Sequence, residues 1–210
     1  MARDAVHLAL DVNVLETDLR SLGYHTIQVH SQAPDRATYL LRPDWGRRLD
    51  EPSLTFLQNA KTHAPIDFLI VVGDGLSSLA VSRHVIPLLI ELKKILPTEW
   101  SANHVVIASQ ARVAIGDEIG QALNAKMVAM LIGERPGLSS PDSLGIYLTF
   151  NPKVGLSDAD RNCISNVRPE GLQYAAAAKK LVWLAKEAMR LKVTGVMLKD
   201  ESNILEIDTN

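Results

Sequence analysis

Two segments of the chain gather residue types that can do chemistry. One is Gly133-Glu134-Arg135-Pro136-Gly137-Leu138-Ser139-Ser140-Pro141-Asp142-Ser143, and the other is Asn162-Cys163-Ile164-Ser165-Asn166-Val167-Arg168-Pro169-Glu170-Gly171. Each packs charged, turn-forming and small residues directly behind an apolar run, as expected of a loop held in one shape for a ligand or partner. In the first, Arg135-Pro136-Gly137-Leu138 suits a type II turn, with Pro fixing φ and Gly taking the positive φ. Glu134, at a strand end, can accept hydrogen bonds from a ligand's amides, or it can pair with Arg135 or Arg161. Cys163 is either a nucleophile or a packed, unreactive cysteine. A nucleophilic role needs a base, and no histidine follows His104, so only His84 or His104 could serve from afar.

Two further loops open helices. Gly73-Asp74-Gly75-Leu76-Ser77-Ser78 resembles a dinucleotide fingerprint, but Ser78 stands where Gly or Ala belongs. No acid follows to take a ribose, and the lysine of a phosphate loop is missing. The simpler reading is a strand–helix turn with Asp74 or Ser77 as N-cap. Within Ser109–Glu118, Arg112 can hold an anion or pair with Asp117 or Glu118. The histidines at 7, 25, 30, 63, 84 and 104 show no paired-ligand spacing, so no metal site is expected.

These loops need strands and helices to hold them. Ile66–Val72 and Lys126–Ile132 are near-continuous apolar runs, typical of strands buried on both faces. Strands are also expected over Tyr24–His30, His104–Ala108 and Leu144–Phe150. Helical patterns cover Asp4–Leu22, with Gly23 as its stop, then Arg36–Leu41 and Pro52–His63. Others run from Ser77 to Leu96 with a kink at Pro87, over Ile115–Leu123, and over Leu172–Leu191. Alternating strands and helices predict an α/β fold, with a doubly wound, mostly parallel, Rossmann-like sheet carrying helices on both faces. The expected division is an N-terminal helical and strand segment over 1–50, an α/β ligand-contacting domain over 51–202, and a tail over 203–210. Ligands in such sheets sit at the carboxyl ends of strands, where the Gly73, Ser109 and Gly133 loops begin.

Composition narrows the function classes. A chain of 210 residues supports one sizeable core. A net charge of −2 argues against nucleic acid or an anionic membrane as the main partner. A single cysteine precludes an intrachain disulfide and a cysteine-based zinc site. No secretory leader or membrane span is recognised, so a cytoplasmic setting is expected. No catalytic set emerges, which suits a chain that holds a cofactor while another subunit does the chemistry.

The chain resembles the light subunit of ethanolamine ammonia-lyase. The resemblance rests on Arg42-Pro43-Asp44-Trp45-Gly46-Arg47-Arg48-Leu49, on Asp74-Gly75-Leu76-Ser77, on Arg112-Val113 with Gly116-Asp117-Glu118-Ile119-Gly120, on Gly133-Glu134-Arg135-Pro136-Gly137-Leu138 and on Asn162-Cys163-Ile164-Ser165-Asn166. These motifs stand in family order over roughly residues 3–201. The resemblance implies a hetero-oligomeric lyase of ethanolamine degradation, using adenosylcobalamin, its cobalt and a radical mechanism to convert ethanolamine to acetaldehyde and ammonia. A TIM-barrel large subunit would supply the substrate site. The light subunit would hold the cobalamin at the interface, base-on because no Asp-x-His-x-x-Gly motif occurs here. The family's cobalamin contacts fall on Val113, Glu134 and Cys163, with Arg135, Ser165 and Asn166 as weaker positions. The family setting includes a bacterial microcompartment. Two departures are notable: members commonly carry a further segment before Arg3, and Trp45 stands where Leu is usual. The alternative reading is a non-catalytic α/β ligand-binding or regulatory module that takes a nucleotide or other small ligand through the Gly73 loop.

Overall fold

The computed structural model describes residues 8–61, 64–100, 103–137 and 142–202. The chain runs α1 (Val12–Ser21), β1 (His25–His30), α2 (Arg36–Leu41), α3 (Glu51–Asn59), β2 (Leu69–Gly73), α4 (Ser78–Ile95), β3 (His104–Ser109), α5 (Ile115–Ala122), β4 (Met127–Gly133), β5 (Leu144–Phe150), β6 (Asn162–Val167) and α6 (Tyr174–Leu191). Short 3-10 turns lie between these elements, one of them at Trp45–Arg47.

The α/β expectation holds. One sheet has the order β1-β3-β2-β4-β5-β6. It is parallel across β1, β3, β2 and β4, and antiparallel at β4–β5 and β5–β6. The strands β2 and β4 are buried at every position, as their unbroken apolar runs require. Alternate residues of β2 feed two cores. Ile70 and Val72 pack with α1, α4 and α6, while Leu69 and Val71 pack with Leu57 of α3 and with Ile115 and Ile119 of α5. Thus α4 leaves β2 toward one face and α5 leaves β3 toward the other. The carboxyl ends of these adjacent strands open into a crevice between diverging chains.

Three sequence expectations change. The segment around Cys163, expected as a loop, is the edge strand β6. Its alternation is hidden because Ile164 and Val167, three apart, both face the core. A register shift opposite Leu144–Ile146 and a left-handed Asn166 (φ 57°) supply the extra residue, as a bulge does. The first helix starts at Val12 rather than at Asp4, because the Asp11 carboxylate caps it by accepting from the Val14 amide at 3.1 Å. Residues 4–7 lie outside the described residues, and Val14 points outward. Helix α3 closes at Asn59, before His63, which also lies outside them. Pro87 sits inside α4 without ending it.

Candidate functional site

The site is built on two loops pressed together. Gly75 takes φ 59°, and a Cβ there would collide with the backbone of Gly133. A Cβ on Gly133 would in turn meet the Ser77 carbonyl. Glycine at both positions lets the Leu76 amide donate to the Gly133 carbonyl at 2.9 Å. The dinucleotide-like loop is therefore closed over by β4 rather than open to a phosphate. Ser77, not Asp74, is the N-cap of α4, accepting from the Ala80 amide.

Asp74 has a longer-range task. Its buried carboxylate accepts from the amides of Ala111 (2.8 Å), Gly75 (3.0 Å) and Gln110 (3.1 Å), and from Arg36 at 3.3 Å. It thereby ties the end of β2 to the end of β3. Burial pushes its pKa up, opposed by those amides and Arg36. Tyr39 adds a second tie, its hydroxyl donating to the Ala111 carbonyl at 3.0 Å.

Above these ties lies a cleft of about 410 Å³, lined by Tyr39, Leu76, Arg112, Val113, Glu134 and Tyr147 among others. Two of the three positions implied by the resemblance, Val113 and Glu134, thus share one cavity. The third, Cys163, lies across the β5–β6 pairing from Tyr147. Glu134 pairs with neither Arg135 nor Arg161 among the described residues. Its carboxylate accepts from the Ser143 hydroxyl and from the Asn166 amide at 3.3 Å, which fastens the first loop to β6. Arg135 is exposed on the rim. The type II turn expected at Arg135–Leu138 runs into residues outside the described set.

Arg112 also departs from the simple reading. Asp117 is held by Arg161, and Glu118 by Arg48 at 2.7 Å, so Arg112 pairs with neither. Instead its guanidinium lies 4.3 Å from the Tyr39 ring centroid. Sequence spacing carries no signal for these pairs, because Arg161 and Arg48 stand 44 and 70 residues from the acids they hold. Ser143, Tyr147 and Tyr39 are site residues that sequence reading missed.

Cys163 is an exposed thiol whose pKa is raised by desolvation and by the Glu134 and Asp158 carboxylates, against a hydrogen bond with Tyr147. It is a thiol, not a thiolate, at neutral pH, and none of the groups around it is a basic histidine. Alkylation by iodoacetamide at pH 7.5 should be slower than that of free cysteine, and Cys163→Ala should leave the unfolding free energy from urea denaturation within about 0.5 kcal/mol of the parent. Faster alkylation than the free amino acid would contradict this assignment. The described residues hold no cluster of three or more histidine, cysteine, aspartate or glutamate side chains placed to bind a metal ion. No helix among them is long and apolar enough to cross a membrane.

Fold and site together define an α/β protein with an open cleft at its strand ends and no metal-binding side-chain cluster among the described residues. The family model for "Ethanolamine ammonia-lyase light chain (EutC)" matches residues 1–199. Proteins named ethanolamine ammonia-lyase small subunit are similar along nearly the whole chain. The one from Pseudomonas fluorescens (strain Pf0-1) is 54% identical over 211 residues, covering 99% of this chain and 77% of that protein. That of Azotobacter vinelandii is 54% identical, with 99% and 78% covered, and that of Ralstonia nicotianae 52% identical, with 97% and 76% covered. The chain belongs to the ethanolamine ammonia-lyase light-chain family.

Proposed function

We propose that this chain is the cofactor-holding light subunit of an adenosylcobalamin-dependent ethanolamine ammonia-lyase. The observation that carries the reading is the convergence of Val113 and Glu134 on one cleft, within a chain of this family. The residues present fit the cofactor. Corrin amides are donors, and Glu134 offers them a carboxylate that no cation occupies among the described residues. The half-buried Val113 and the Tyr147 ring give an apolar wall. The cleft is far smaller than a whole cobalamin, as suits a chain that grips one edge while a TIM-barrel large subunit covers the rest.

When bound, adenosylcobalamin would supply the radical chemistry that turns ethanolamine into acetaldehyde and ammonia. The chain's own residues bind, orient and exclude water. Ser143 and the Asn166 amide both donate to Oε2 of Glu134, which would leave the other carboxylate oxygen for a ligand's amides without a further loss of rotamer freedom. Asp74 and Tyr39 keep the Arg112-Val113 loop against the same cleft. A cytoplasmic location, with residence in a bacterial microcompartment, goes with this reading.

Glu134→Gln should weaken cobalamin retention by the two-chain complex about tenfold, because a charge-assisted hydrogen bond becomes a neutral one that can also present the wrong dipole. Equilibrium dialysis with the large subunit present measures it, and equal affinity in variant and parent would defeat the assigned role. Activity gives a second arm. Neither chain alone, but the mixture with adenosylcobalamin, should release acetaldehyde.

A further inference from the structure

Beside the cleft lies a second pocket of about 390 Å³, lined by Pro43, Arg47, Arg112, Val113, Ala114 and Arg161 among others. It adjoins the cleft through Arg112 and Val113. Three arginines and one acid, Asp158, therefore line one cavity. The acids nearby are already occupied: Asp44 by Arg42, Glu118 by Arg48, Asp74 by Arg36, and Asp117 and Asp158 by Arg161. Arg47 and Arg112 have no carboxylate partner among the described residues. Even with both acids set against Arg161, the pocket keeps a positive charge.

Two buried atoms sharpen this picture. The Nε–H groups of Arg112 and Arg161 are both buried and donate to no partner among the described residues. Arg161 itself is 5% exposed. Buried N–H donors of this kind are normally satisfied. The pocket also borders the first turn of α5, whose N-cap Ala114 provides no side-chain cap. The acids of that turn, Asp117 and Glu118, are neutralised by Arg161 and Arg48, so the positive end of the helix is not cancelled. Planar guanidinium forks beside an uncapped helix start match the geometry and charge of a phosphate group.

We infer that the Arg47–Arg112–Arg161 pocket binds a phosphate group. One source is the phosphodiester in the nucleotide tail of cobalamin, and that source rests on the function proposed above. The other is free inorganic phosphate. The first would lay the ligand across both cavities, with its amide-bearing ring toward Glu134 and its tail toward Arg47.

The test has two arms. In the first, the full chain is titrated with inorganic phosphate while the amide NMR shifts of Val113 and Ala114 are followed. Saturable shifts are expected, with affinity about tenfold weaker in Arg47→Gln, whose loss of one charged donor falls on an exposed side chain and spares the fold. In the second, the complex with the large subunit is equilibrated with cobalamin and with cobinamide, which lacks the nucleotide tail. Weaker cobalamin binding in Arg47→Gln with unchanged cobinamide binding identifies the tail as the source. Unchanged binding of both, with phosphate still weakened, identifies free phosphate. Absence of saturable shifts in the parent, or equal phosphate affinity in parent and variant, overturns the inference. A parent complex that holds no cobalamin would sink the cofactor reading, while the phosphate titration would still decide the pocket.

Discussion

Replacing Asp74 with alanine should lower folding stability by about 3–5 kcal/mol, the range for removing one partner from a buried charged network. Four donors converge on this carboxylate, from Gly75, Gln110, Ala111 and Arg36. Alanine satisfies none of them. The amides of Gly75 and Ala111 are in buried surroundings, so each loses its partner without gaining water, at about 1–3 kcal/mol per group. The loops after β2 and β3 would also lose their shared anchor, which moves Val113 relative to Glu134. Urea denaturation should show the midpoint fall with little change in slope. A midpoint within error of the parent would show that the network is dispensable.

Arg161→Leu should cost a similar amount at neutral pH, about 3–5 kcal/mol, through the charge it strands. Arg161 is buried and binds Asp117, Asp158 at 3.0 Å and the Leu156 carbonyl at 3.2 Å. Asp117 is buried too, and burial already pushes its pKa up while Arg161 and Thr149 pull it down. Without the guanidinium its folded-state pKa rises further. A raised carboxyl pKa favours the protonated folded form, so the penalty is small at low pH and grows as pH rises from the unfolded value through the folded one. The deficit against the parent should therefore be larger at pH 8 than at pH 5, as measured by urea midpoints at the two values. A deficit independent of pH would mean that lost packing, not the stranded carboxylate, dominates.

The parts of the fold legible in the sequence are those set by local pattern. The helix at Arg36–Leu41 and the strand at Leu144–Phe150 have the boundaries that the sequence predicts, and the apolar runs of β2 and β4 mark the buried centre of the sheet. Where the reading failed, a single residue overrode the pattern. Asp11 capped a helix within an otherwise continuous periodicity, and the left-handed Asn166 disguised an edge strand as a loop. The sheet's antiparallel half was illegible for a different reason, since the apolar pattern of β5 marks a strand and not its direction.

The site was legible only in outline. Glu134 at a strand end and Arg112 in a strand–helix loop stood out by type and position. Their partners did not, because Ser143, Asn166 and Tyr39 reach them across the fold. Asp74 illustrates the limit well: next to Gly75 it resembles a helix cap, yet three of its four hydrogen bonds go to residues 36 and more positions away.

The most direct test of the central proposal, that this chain holds cobalamin at an interface with a large subunit, is co-elution in gel filtration. The chain, the large subunit and adenosylcobalamin are applied together and separately, and corrinoid absorbance is read across the protein peaks. Corrinoid should travel with the two-chain complex and be released when Glu134→Gln replaces the parent chain or when this chain is omitted. Equal corrinoid retention by the large subunit alone would contradict the account.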